Sequence, residues 1–168
     1  PKSIGKLDEL REFWGKDSLK RVVPIKGDLG LPRLGVARGD LTKLKGKVKH
    51  FYHLGAVYDL EASAEEMEKA NITGTRGALE FAETVNAGCF HLVSSIAAAG
   101  LYRGTFSEDM FEEAEELDHP YHRTKHDSEA MVRANGRIPF RIYRPGAVLG
   151  HSQTGFIDKI DGPYYFFK

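Results

Sequence analysis

The chain has 168 residues, enough for one domain with a real core, and an ordinary globular composition of 41% hydrophobic and 29% charged residues. Lys+Arg and Asp+Glu both number 24, so the formal net charge is zero, which argues against a nucleic-acid or anionic-membrane partner held by bulk electrostatics. The single Cys89 excludes an internal disulfide, and neither a signal peptide nor an apolar run of about 20 residues is present, so a cytoplasmic location is expected.

Residues 5–14 place Leu7, Leu10, Phe13 and Trp14 at helical spacing. Arg21 to Ile25 reads as a short strand, and Gly27-Asp28-Leu29-Gly30 turns out of it. Residues 31–47 are rich in Gly, Pro and Lys and predict a loop with a helical turn. Val48 to Leu54 is a second strand. Helices are expected over 62–70 and over 71–86, the latter with Ala78, Leu79, Ala82 and Val85 as its apolar stripe and Gly88 as its stop. Cys89 to Ser95 is a third strand. The acidic stretch Glu108 to Asp118 reads as a solvated face or loop. Tyr121 to Ala134 is helical, and Phe140 to Tyr143 is a fourth strand, broken by Pro145-Gly146. Strands alternating with helices predict an α/β fold with a parallel sheet.

The sharpest chemical signal is Tyr121-His122-Arg123-Thr124-Lys125. A Tyr and a Lys four apart share one helix face. An ammonium beside a phenol favours the phenolate, and such a phenol can pass a proton to a carbonyl oxygen while hydride reaches carbon. Alone, such a pair is a weak signal, since most are exposed helical accidents. Val93-Ser94-Ser95 closes an apolar strand, where catalytic groups emerge from parallel sheets. Either serine could instead simply end the strand. Asn71 opens Asn-Ile-Thr-Gly-Thr ahead of the helix leading into that strand, where its amide could hold a proton-relaying water. Asn71-Ile72-Thr73 also matches a glycosylation sequon, but with no secretory context capping or relay is favoured. Tyr143 to Val148 ends the fourth strand with a turn whose backbone could face a nicotinamide amide.

The order Asn-x-x-Gly-Thr (71–75), Ser-Ser (94–95), Tyr-x-x-x-Lys (121–125) and Arg-Pro-Gly (144–146), in steps of about 25 residues, resembles the extended short-chain dehydrogenase/reductase family. Segments 93–101, 108–126, 140–155 and 158–168 are similar to bacterial alcohol-forming fatty acyl-CoA reductases of the type with two reductase domains, over nearly the whole chain. This resemblance implies a Rossmann-like parallel sheet with flanking helices and NADPH-dependent reduction of a fatty acyl-CoA or fatty aldehyde. It makes Tyr121 the acid, Lys125 its tuner and a ribose contact, Ser95 the carbonyl holder (it lies five residues before Gly100) and Asn71 the relay. It lays Leu54, Gly55 and Ala56 along the cofactor, brings Asp28 and Leu29 to the adenine, and puts Pro145, Gly146 and Val148 near the nicotinamide. A second reductase domain in the same full-length chain and a homo-oligomer are among the expected partners.

One departure stands against these matches. The family's first strands and its Gly-x-x-Gly-x-x-Gly turn, which receives the pyrophosphate, do not occur in the sequence. The chain begins at Pro1 and stops at Lys168 after a run of aromatics, so it reads as a partial domain cut at both ends, expected to bind cofactor weakly and to be marginally stable. No Cys/His pair has zinc-finger spacing, so no metal is expected even though His119, His122 and His126 cluster. His53 reads as a packed strand-end residue, and Tyr164 to Phe167 as core or interface. The rival readings are a sugar-nucleotide epimerase or dehydratase, a hydroxysteroid dehydrogenase, or a non-catalytic fragment that binds no dinucleotide.

Overall fold

In a computed structural model the structure describes residues 14, 15, 17–57, 62–157 and 164. The expected helix over 5–14, apart from Trp14, and most of the aromatic run 164–167 lie outside these residues.

The centre is a three-stranded parallel sheet, β1 (Phe51–His53), β2 (Phe90–Val93) and β3 (Phe140–Tyr143), in the spatial order β1-β2-β3. Phe51 pairs with Phe90 and Phe90 with Phe140, so the aromatic starts of all three strands align. Parallel neighbours need long crossovers, and helices supply both. Helix α1 (Arg38–Leu44) precedes β1. Between β1 and β2, α2 (Ala64–Met67) runs through a π-helical turn, Glu68–Thr73, into α3 (Gly74–Thr84). Between β2 and β3 lie a 3-10 turn, Ile96–Ala99, an irregular loop and α4 (Pro120–Asn135).

Local chemistry explains these boundaries. Ser63 and Glu66 form a reciprocal capping box: the Glu66 N–H donates to Ser63 Oγ at 3.2 Å and the Ser63 N–H to the Glu66 carboxylate at 3.1 Å. Pro120 fills the first turn of α4, where its missing N–H costs nothing, and Gly136 (φ +60°) ends the helix in the left-handed region. The core joins Ala78, Leu79, Phe81, Ala82 and Val85 of α3 to Phe90 and Leu92 of β2, with Val132 of α4 and Ile138 behind them.

Several expectations are corrected. Arg21 to Ile25 is not a strand: Val22, Val23 and Ile25 are exposed, Pro24 has no N–H to donate, and β1 pairs only with β2 among the described residues. The two helices expected over 62–70 and 71–86 form one continuous helical run containing the π turn. Gly88 is not the helix stop. Asn86 (φ +52°) takes the left-handed position, and Gly88 serves close approach, since a Cβ there would sit 2.9 Å from the Lys49 carbonyl oxygen. The middle and end strands and α4 fall where the sequence places them, with β1 and β2 shorter by a few residues.

Candidate active site

β1 and β2 end side by side, and a small cleft opens beyond their carboxyl ends, where ligands bind in open α/β sheets. His53, Gly55 and Ala56 reach it from the end of β1, and Leu92, Val93 and Ser94 from β2. Asn71 and Thr75 enter from the helical run, and Lys125 and Ser128 from α4.

Asn71 sits in the π turn and is buried. One extra residue in the helical turn re-aims a side chain, a common device at functional sites. Its Oδ1 accepts from the Val57 N–H at 2.8 Å, and its Nδ2 donates to the Val57 carbonyl and to Thr124 Oγ1, each at 3.1 Å. Its carbonyl accepts from Thr75 Oγ1 at 2.6 Å and Ser128 Oγ at 3.0 Å. Asn71 therefore clasps the loop after β1, α3 and α4 together, with both amide hydrogens spent on protein acceptors. Thr75 gives its only hydrogen to Asn71, so at the 3.1 Å contact His53 Nε2–H is the donor to Thr75 Oγ1. Burial, followed by the charge of Lys125, pushes the His53 pKa down to about 4, so the ring is neutral near neutral pH. His53 is thus the packed strand-end residue that the sequence indicates.

Lys125 is 6% exposed, and its Nζ lies 5.9 Å from the Tyr121 ring centroid. Helical spacing brings these two together as expected. Desolvation lowers the ammonium's pKa and the nearby Glu129 carboxylate opposes the shift. Among the described residues nothing hydrogen-bonds to this ammonium, and the buried Ser94 Oγ also lacks a partner. Ser94 Oγ is a buried polar atom without a partner, which is rare and calls for an explanation, and Lys125 lines the same cleft. A ribose hydroxyl and a substrate oxygen are groups of the kind these two would satisfy, so the residues present fit a nicotinamide dinucleotide. Lys125 and Tyr121 would hold its ribose, with Gly55 and Ala56 alongside.

Ser95 is placed differently from Ser94. It is half-buried and caps the 3-10 turn, its Oγ accepting from the Ala97 N–H at 3.1 Å, and it does not line the cleft. Leu29 packs on Gly55, where a Cβ would lie 2.6 Å from Leu29 Cδ1, so two of the expected cofactor-contact segments do meet. Asp28 shapes that loop by accepting from the Gly30 N–H at 2.8 Å. Leu54 and Val148 are surface residues, 69% and 81% exposed. The Pro145 carbonyl accepts from the Ile96 N–H at 3.2 Å, and Gly146 lies against the Ile96 side chain.

Sequence reasoning missed the buried ion pair behind the cleft. Glu129 is fully buried and receives Arg144 Nε at 3.0 Å and Nη2 at 2.8 Å. Arg144 also donates to the carbonyls of Ser107 and Met110, at 3.2 and 2.9 Å, pinning the loop between β2 and α4. The available signal was the Lys125–Glu129 spacing, which puts both on one helix face.

A parallel sheet with a cleft at its strand ends, lined by Lys125 of a helix that carries Tyr121 one turn earlier, has the Rossmann-like form of an extended short-chain dehydrogenase/reductase domain. The chain belongs to the male sterility protein family, an NAD-binding family whose model matches residues 5–168. It is 34% identical over 166 residues to a linear gramicidin synthase of Brevibacillus parabrevis, covering 94% of this chain and 3% of that protein. It is 27% identical over 191 residues to a Drosophila melanogaster protein named for fatty acyl-CoA reduction, covering 96% of this chain and 37% of that one. The crystal structure of the terminal R domain of the myxalamid PKS-NRPS biosynthetic pathway superposes with a TM-score of 0.74 at 32% identity, covering 87% of this chain and 39% of that chain. The chain thus spans less than two fifths of each of these relatives.

Proposed function

We propose that the chain carries the proton-transfer residues of an NADPH-dependent reduction of a fatty acyl-CoA or fatty aldehyde toward the fatty alcohol. The observation that supports this most is the buried Lys125 ammonium, without a hydrogen bond among the described residues and set beside the Tyr121 ring. NADPH supplies hydride to the carbonyl carbon when bound. Tyr121 donates its phenolic proton to the oxygen as charge builds there, and Lys125 stabilises the resulting phenolate. Ser95, whose Oγ accepts from the Ala97 N–H but keeps its own hydroxyl hydrogen, gives that hydrogen to a substrate oxygen at the mouth of the cleft, and the unpartnered Ser94 Oγ supports the same oxygen from the cleft wall. Asn71 sets the distance between the loop after β1 and α4, and its remaining Oδ1 lone pair serves the relay that returns a proton to Tyr121. Leu29, Gly55 and Ala56 flank the dinucleotide.

A second reading keeps the chemistry and changes the carrier. The likeness to the R domain and to the gramicidin synthase supports a thioester presented by an assembly-line protein rather than by free CoA. NADPH consumption by the full-length protein on palmitoyl-CoA, decanal, a carrier-bound acyl thioester and UDP-sugars separates these readings. Turnover confined to UDP-sugars overturns both. Tyr121→Phe is expected to lower turnover at least ~10²-fold, the low end for a positioned acid. A variant within twofold of wild type ends the assignment of Tyr121.

A further inference from the structure

We infer that the amino-terminal ends of β1 and β2 form a site for a borderline-soft divalent metal ion of the zinc class, with His50, Cys89 and His91 as ligands. The site lies at the other end of the strands from the cleft and is independent of the reductase reading.

Strand register creates it. Phe51 stands beside Phe90, so His50 and Cys89, one residue earlier, are lateral neighbours, and Tyr52 stands beside His91. Side chains alternate along a strand, so His50, Tyr52, Cys89 and His91 share one face. That face is opposite the one formed by Phe51, His53, Phe90 and Leu92, which meets the helices. The ligand atoms of His50, Cys89 and His91 all lie within 4.8 Å of one another. His50 Nδ1 and His91 Nε2 are 3.0 Å apart. Donor atoms of a tetrahedral zinc with nitrogen and sulfur ligands are about 3.3–3.7 Å apart, so a small rotation of the exposed His50 closes the set.

The surroundings suit a ligand histidine. His91 is 1% exposed, and its Nδ1 lies 2.9 Å from Tyr143 Oη. With that nitrogen donating to Tyr143, Nε2 is left as the coordinating atom, the outer hydrogen bond that metal-bound histidines keep. Tyr52 stacks on the His91 ring at a centroid distance of 4.2 Å and fixes its plane. Two imidazole nitrogens facing at 3.0 Å share one proton. The metal displaces that proton from between the rings, His50 keeps it on its outer Nε2 as the other neutral tautomer, and only the Cys89 thiol proton leaves to solvent. The fourth position faces the exposed side of His50 and is filled by water.

The test is a Co2+ titration of the reduced protein near neutral pH, followed by absorbance. The expected result is saturable binding with visible bands of a tetrahedral ion and a near-ultraviolet thiolate-to-cobalt band, both erased by added Zn2+. Cys89→Ser removes the near-ultraviolet band. His50→Ala weakens binding at least ~10-fold, as loss of a supporting group does at metal sites. His50 is exposed and Cys89→Ser is nearly isosteric, so both variants retain the fold that circular dichroism verifies. No near-ultraviolet band at millimolar Co2+, or binding that neither substitution changes, overturns the proposal. The latter result is what binding at His119, His122 and His126 would give.

Discussion

Lys125 and Glu129 lie four residues apart on α4, both buried, and the protein treats them in opposite ways. Glu129 is saturated by the Arg144 guanidinium, with Arg133 Nη2 a further 3.8 Å away. Lys125, one turn nearer the cleft, receives a cation–π contact and no hydrogen bond among the described residues. A buried charge with full compensation anchors structure, whereas one left short of partners costs stability and persists for what it binds. The two sites divide the helix into a fixed half and a receptive half.

The fixed half yields the largest expected effect. Glu129→Gln leaves the Arg144 guanidinium, 13% exposed, without its counter-charge, and removal of one partner of a buried pair costs about 3–5 kcal/mol. Urea unfolding should show this loss, and a cost under about 1 kcal/mol would remove the contrast with Lys125. The cleft that the receptive half faces is also acid-sensitive, through His53 at the end of β1. The folded-state pKa of His53, about 4, lies below the ordinary 6.5, so the native state resists protonation of a ring that the unfolded chain protonates readily. Stability is therefore complete above pH 6.5 and falls as pH drops through 6.5 toward about 4, by about 3 kcal/mol in total. His53→Gln should flatten this slope in pH-dependent thermal melts. Unfolding profiles that match over that window would remove His53 as the cause. The smallest effect belongs to a solvated pair. Arg137 reaches Glu83 at 3.1 Å but is 75% exposed, so Arg137→Ala should change stability by less than about 1 kcal/mol.

The same contrast explains what the sequence could reveal. Tyr121 and Lys125 are legible because helical spacing alone brings them together, and the end of α4 is legible because Gly136 follows it. β3 is found because the short run Phe140 to Tyr143 ends at the Pro145-Gly146 break. The Glu129–Arg144 clamp was hidden because its partners lie 15 residues apart on different elements and meet only through tertiary packing. The π turn has no local signature, so one bent helical run read as two helices. The segment Arg21 to Ile25 has strand-like residues, but a strand exists only when a neighbour accepts its hydrogen bonds. Ser94 and Ser95 look interchangeable in sequence. The chain path after β2 sends one into the cleft wall and the other onto the cap of the next turn.

The most direct test replaces Lys125 with Met in the full-length protein and measures thermal stability and NADPH-dependent turnover on the same preparation. Met fills similar volume with no charge to desolvate, so the melting temperature should hold or rise while turnover falls at least ~10²-fold. A clear drop in melting temperature with turnover retained would show that Lys125 is a structural cation and would contradict the account.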